Sequence, residues 1–176
     1  IAYMKEGFEA FKATLDLTQF AIGGFKGLLI FTFIGILATV IMQSSHATLV
    51  LIITALGSGQ ITYENALALA IGSNIGTTIT AVIGSLTSGL EGKKLAGAHV
   101  IFNVFTGLIA IILMNPFILF VDYTAHLLHI LADDYTMKLA LFHTYFNLLG
   151  VLLLYPFVDA LVLLLGRIFK AKPIEG

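Results

Sequence analysis

Cysteine is absent from this chain of 176 residues, which excludes disulfides and thiolate-held metals. Charge is nearly as scarce. Asp, Glu, Lys and Arg make up 11% of the chain, against roughly 25% in a soluble domain. So little charge cannot clothe a fold of this size against water. The 59% hydrophobic content and mean hydropathy of +1.01 say where that surface faces instead. The sequence predicts an all-α, multi-pass protein of the cell (plasma or inner) membrane, with the lipid bilayer as its first partner.

Other absences narrow the function. With a net charge of −1 and scattered basic residues, there is no footprint for nucleic acid. No Walker A loop, Gly-x-Ser-x-Gly elbow or His-Glu-x-x-His pair is present, so no enzyme and no cofactor is expected. His126, His129 and Asp133 come nearest to a metal grouping and lack further ligands.

What is present is a series of apolar runs. Residues 3–19 set Phe8, Phe11 and Leu15 on one helical face and five charged residues on the other, an interfacial amphipathic helix. Ala21 to Met42 is long enough to cross a bilayer. Three shorter pieces follow, Ala47 to Leu56, Asn65 to Ile71 and Ile75 to Leu86, then a polar loop from Thr87 to Lys94. Leu95 to Val121 crosses once, with Asn115-Pro116 bending or ending it. Asp122 to Met137 is a polar connection with some helical character. Lys138 to Phe169 would span about 48 Å as one helix, beyond a bilayer core of about 30 Å, so Pro156 is expected to split it. Asp159 then falls in the first turn of the next piece, where a carboxylate suits the helix dipole.

Two polar faults interrupt the apolar runs. The first is Gln43-Ser44-Ser45-His46, and the second is Gly72-Ser73-Asn74-Ile75-Gly76-Thr77-Thr78. Amide and hydroxyl groups at bilayer depth are costly without partners, and paired interruptions of this kind mark solute sites built from broken helices. The side chains on offer, Gln43, Ser44, Ser45, Thr48, Ser73, Asn74, Thr77 and Thr78, are all neutral. No Lys or Arg lies between Lys26 and Lys93, and Glu64 is the only acid between Asp16 and Glu91. An anion could still be held by helix N-termini, with Ser45 capping a helix from His46 and Asn74 capping one from Ile75. The same oxygens suit sodium, whose charge would stabilise a neighbouring anion.

A shorter echo comes later. His99-x-x-Phe102-Asn103 recurs as His143-x-x-Phe146-Asn147 at a spacing of 44. In each copy the His and Asn share one helix face. Stitching helices together is the ordinary use of such pairs in membranes, ahead of direct solute contact.

Together these residues resemble the type II sodium–phosphate cotransporters and their bacterial relatives. The family's Gln-Ser-Ser-Ser followed by Ala-Thr is met by Gln43-Ser44-Ser45-His46-Ala47-Thr48. Its Gly-Ala-Asn-Ile-Gly-Thr-Thr is met by Gly72 to Thr78, and its His-x-x-Phe-Asn by His99 to Asn103. The resemblance implies sodium-driven uptake of inorganic phosphate. It carries sodium and phosphate binding onto Gln43, Ser44 and Ser45, with Thr48, Asn74, Thr77 and Thr78 as neighbours. His46 stands where the family has a third serine, and it is assigned with His99, Asn103, His143 and Asn147 to packing around the site.

Family members carry two inverted repeats, and this chain carries one copy of the motif. The expectation is therefore one repeat of a longer transporter, or two identical chains assembling in opposite orientations as a homodimer. The chain is parsed as a single membrane domain over 1–176, with an amphipathic helix at 1–20, a broken-helix core at 21–94 and two long helices at 95–170. Competing readings are a non-transporting membrane protein whose polar breaks serve assembly or regulation, and a membrane-embedded hydrolase.

Overall fold

A computed structural model describes residues 22–170, and the amphipathic segment expected at 3–19 lies outside them. Among the described residues every regular element is helical. They are α1 (Gly24–Met42), α2 (Ser45–Gly57), α3 (Tyr63–Ser85), α4 (Leu90–Ile112), α5 (Met114–Leu127), α6 (Tyr135–Leu154), a 3-10 turn (Tyr155–Phe157) and α7 (Val158–Ile168). By length and apolar composition α1, α3, α4 and the continuous run Tyr135–Ile168 can each cross a membrane, whereas α2 is too short. The chain is a multi-pass membrane protein. Its outer faces carry large exposed apolar groups such as Phe25, Phe33, Ile41, Leu108 and Leu152, as lipid contact demands.

The centre of the bundle is α3, which packs against α1, α2, α4 and α6. Its residues Ala66 to Asn74 are buried almost without interruption. Small side chains allow this. A Cβ at Gly72 would run into the Thr32 carbonyl of α1, and one at Gly76 would come within 2.8 Å of the Ile36 carbonyl. Gly35 of α1 meets the Leu69 backbone from the other side. Backbone therefore touches backbone along the α1–α3 seam, the packing that small-xxx-small spacing permits in lipid.

This seam corrects one expectation. The Gly72–Thr78 segment is not a break, because α3 runs through it from Tyr63 to Ser85. Its glycines serve close approach, and its threonines back-bond to helix carbonyls: Thr77 to Ser73 at 3.0 Å, Thr78 to Ile75 at 2.7 Å. Asn74 therefore caps nothing, and the pair of facing N-termini expected from two breaks does not form.

Elsewhere the boundaries shift by physical detail. The polar stretch before Lys94 shortens, since Leu90 already opens α4 and Glu91 pairs with Lys94 at 2.8 Å in its first turns. The bend expected at Asn115-Pro116 falls at Leu113, which places the proline in the first turn of α5, where its missing N–H costs nothing. The helical character expected within Asp122 to Met137 is found at Asp122 to Leu127, which continue α5, and Asp134 caps α6 by accepting from the Met137 N–H at 2.9 Å. Pro156 does split the last run, and Asp159 lies in the first turn of α7. The two long helices expected over 95–170 are thus four helical pieces.

One further relation positions the site. Ile22 and Gly23 before α1, Leu56 and Gly59 at the end of α2, Tyr63 at the start of α3 and Tyr135 at the start of α6 all line one cleft. So α1 begins, and α2 finishes, at the same end of the bundle. Between them the chain reverses at Gln43–Ser44.

Candidate functional site

The reversal is built from two adjacent residues of opposite conformation. Gln43 ends α1 in the left-handed region, φ 55°, which a non-glycine side chain resists. Its amide donates to the Val40 carbonyl at 3.2 Å, satisfying one of the acceptors the helix end leaves open. Ser44 is extended and caps α2 by accepting from the Ala47 N–H at 3.2 Å. The cap is thus Ser44 rather than Ser45, which is itself the first helical residue.

Hydroxyls then tie the tip to its surroundings. Buried Thr39 of α1 donates to the Thr48 hydroxyl at 3.1 Å, and Thr48 donates to the Ser44 carbonyl at 3.0 Å. From α3, fully buried Ser73 donates to the Ser45 carbonyl at 3.4 Å. Ser73 is the eleventh of the 23 residues of α3, so the tip lies near the helix's midpoint.

Asn74, next to Ser73, turns the other way. Its amide nitrogen donates to the Asn147 side-chain oxygen at 3.2 Å, and its oxygen lies 3.1 Å from His143 Nε2 on α6. Since an amide oxygen only accepts, Nε2 carries the proton in this arrangement. Asn147 also donates to the His143 carbonyl at 2.7 Å. His46, in the first turn of α2, lies within electrostatic reach of His143.

The sequence-selected residues therefore divide. Ser44, Ser45 and Thr48 share the tip with Ser73, and Gln43 and His46 are exposed beside it. Asn74, His143 and Asn147 form an interhelical knot one residue away. Thr77 and Thr78 are turned into their own helix. The first His-x-x-Phe-Asn copy stands apart: Asn103 is buried and donates to the His99 carbonyl at 3.1 Å, while His99 lines an apolar groove. Thr39 was not singled out from sequence; a hydroxyl in the last turn before the fault was its only signal. Chemically, the tip offers the N-terminus of α2, hydroxyl and carbonyl oxygens, and no formal charge. That set suits an anion and a hard monovalent cation together.

A family model described as Na+/Pi-cotransporter matches residues 2–159. Among curated proteins, the chain is 32% identical to "Uncharacterized protein YqeW" of Bacillus subtilis over 139 residues, covering 79% of this chain and 43% of that protein. It is 28% identical to "Putative inorganic phosphate export protein YjbB" of Escherichia coli K12 over 155 residues, 83% of this chain and 26% of that protein. The protein of the same name in Salmonella typhimurium is 25% identical over 140 residues, 80% of this chain and 24% of that protein. The chain thus spans less than half the length of these relatives. No solved structure matches.

Proposed function

The chain belongs to the Na+/Pi-cotransporter family, and on that premise we propose that it forms part of a sodium-coupled carrier of inorganic phosphate, with α1 and α2 as a re-entrant hairpin whose tip holds the solutes. The observation that carries the proposal is the placement of Ser44 and Ser45 at the midpoint of α3, on a helix pair that begins and ends at one end of the bundle.

The chemistry follows from the tip. The first-turn amides of Ser45 and His46 have no helical carbonyl to donate to, and the dipole of α2 adds partial positive charge there. Phosphate would be met by these N–H groups and by the Ser45 hydroxyl. Gln43, Ser44 and Thr48 supply oxygens for sodium, and Asn74 stands behind them, held in place by α6. Each solute lowers the electrostatic cost of the other, which couples them. The direction of net movement follows the gradients; two relatives bear names that say export.

Exposed Gln43 and His46 at this depth cannot face hydrocarbon at low cost. A second repeat or a second copy of the chain, packed over the tip, would cover them. The chain's partial coverage of its relatives supports the same reading. In proteoliposomes an inward sodium gradient should accumulate radiolabelled phosphate above equilibrium, and an equal choline gradient should not. Accumulation indifferent to the cation would defeat the coupled reading.

A further inference from the structure

At the turn between α3 and α4 two membrane-crossing helices reach the same surface, so the residues around it stand where lipid meets water. The last helix returns to this boundary. With 11 residues α7 is too short to cross alone, and its Leu165 and the ring of Phe169 just beyond it sit over Gly97 of α4. There α3, α4 and α7 enclose a groove of about 380 Å³. Val82 and Leu86 of α3, Val100 of α4, and Leu165 and Phe169 give it apolar walls. Ser85 also lines it, but its hydroxyl is spent on the Val82 carbonyl at 2.8 Å. The charged lining residue is Lys93, in the opening turn of α4, and Val100 lies about 10 Å further along that helix. The groove therefore runs from an ammonium at the boundary into the depth of the hydrocarbon. A larger apolar groove of about 720 Å³ adjoins it, sharing Ser85 and Ala96.

Charge says what kind of molecule fits. Among the described residues this end of the bundle carries four basic side chains, Lys93, Lys94, Arg167 and Lys170, and two acids, Glu91 and Asp159. The end where α1, α3 and α6 begin carries two basic side chains, Lys26 and Lys138, and four acids, Glu64, Asp122, Asp133 and Asp134. Glu91 is taken by Lys94 at 2.8 Å, and Asp159 answers the dipole in the first turn of α7. Lys93, Arg167 and Lys170 pair with no carboxylate among the described residues. Lys93 is half-buried, its stem lying along the groove, while Arg167 and Lys170 are exposed and flank the groove residues Ile168 and Phe169 in sequence. An apolar trough that opens on unpaired cations matches an occupant with hydrocarbon and an anion in one body. A second copy of the chain docked by the same face would instead set these cations against themselves.

We propose that this groove binds an anionic phospholipid, with the lipid phosphate at Lys93, Arg167 and Lys170 beside it, and an acyl chain between α3, α4 and α7. Basic pockets between membrane helices hold anionic headgroups in this way. The site is separate from the hairpin tip and does not depend on what the tip carries. The test titrates lipid into the purified full chain in nonionic detergent and follows the unfolding temperature. Phosphatidylglycerol should raise it saturably, and phosphatidylcholine should not. Glycerol phosphate, which has the anion but no chains, should not raise it either. Joint replacement by Lys93→Gln, Arg167→Gln and Lys170→Gln should weaken the apparent affinity for phosphatidylglycerol by about tenfold or more, since each basic residue beside an anionic headgroup is worth roughly fivefold. Lys26→Gln, at the acidic end, should leave that affinity unchanged. An undiminished response in the triple variant, an equal loss in Lys26→Gln, or an equal rise with glycerol phosphate overturns the lipid site. So does efficient disulfide linking of two chains through Ile168→Cys in membranes, which would make the groove a face between copies.

Discussion

Ser44 and Ser45 are neighbours with different work. Ser44 spends its hydroxyl on capping α2, whereas the Ser45 hydroxyl makes no hydrogen bond among the described residues and the Ser45 carbonyl accepts from Ser73. Replacing Ser44 by alanine should therefore cost about 1 kcal/mol of stability, the usual worth of such a cap. Ser45→Ala should leave the unfolding temperature in detergent unchanged while weakening sodium-dependent phosphate uptake; unchanged uptake would remove Ser45 from the site. Asn147→Leu tests the knot. It strands the Asn74 donor in a buried place, a loss of about 1–3 kcal/mol visible as a lower unfolding temperature. Asn74 and the His143–Asn147 pair were each visible in the sequence, but not their meeting. They lie 69 and 73 positions apart, and local spacing carries no information about which helices touch.

For the elements, the same kind of signal had two outcomes. Gln43-Ser44 does interrupt its helix, while Gly72-Ser73-Asn74-Ile75-Gly76 does not. Glycine four residues from glycine is compatible with a helix that breaks and with one that admits a neighbour's backbone, and only the position of α1 decides between them. The first fault was legible because a Gln-Ser-Ser run offers capping groups and no packing motif. The packing role makes a definite prediction. Gly76→Leu should force α1 away from α3 and cost about 1–3 kcal/mol or more, the range for overpacking. Gly84, which has open space around it, should accept alanine with little change in unfolding temperature. Equal losses at the two positions would show that helix propensity, not the α1–α3 seam, sets their worth.

Across the whole molecule, the hairpin requires a definite topology. If α1 and α2 enter and leave on one face, single cysteines at Gly23 and Gly59 should react with an impermeant maleimide from the same side of sealed vesicles. A cysteine at Ser88, between α3 and α4, should react from the other side. The native chain contains no cysteine, so the background is clean. Gly23 and Gly59 labelling from opposite sides would make α2 a crossing helix and dissolve the hairpin. The broad architecture was legible in composition and run length: an all-helical membrane protein, a piece at Ala47 to Leu56 too short to cross, which lies within α2, and a proline that divides the last run. The shared end of α1 and α2 was not, since hydropathy records depth along a run but not where a chain returns.

The central claim is that the tip at Ser45 holds phosphate and sodium together, and the same cysteine-free background lets it be tested at that residue. The rate of Ser45→Cys modification by a small charged thiol reagent should fall several-fold when phosphate and sodium are both present, and little when choline replaces sodium. A modification rate indifferent to both solutes, in protein that remains folded, would contradict the account.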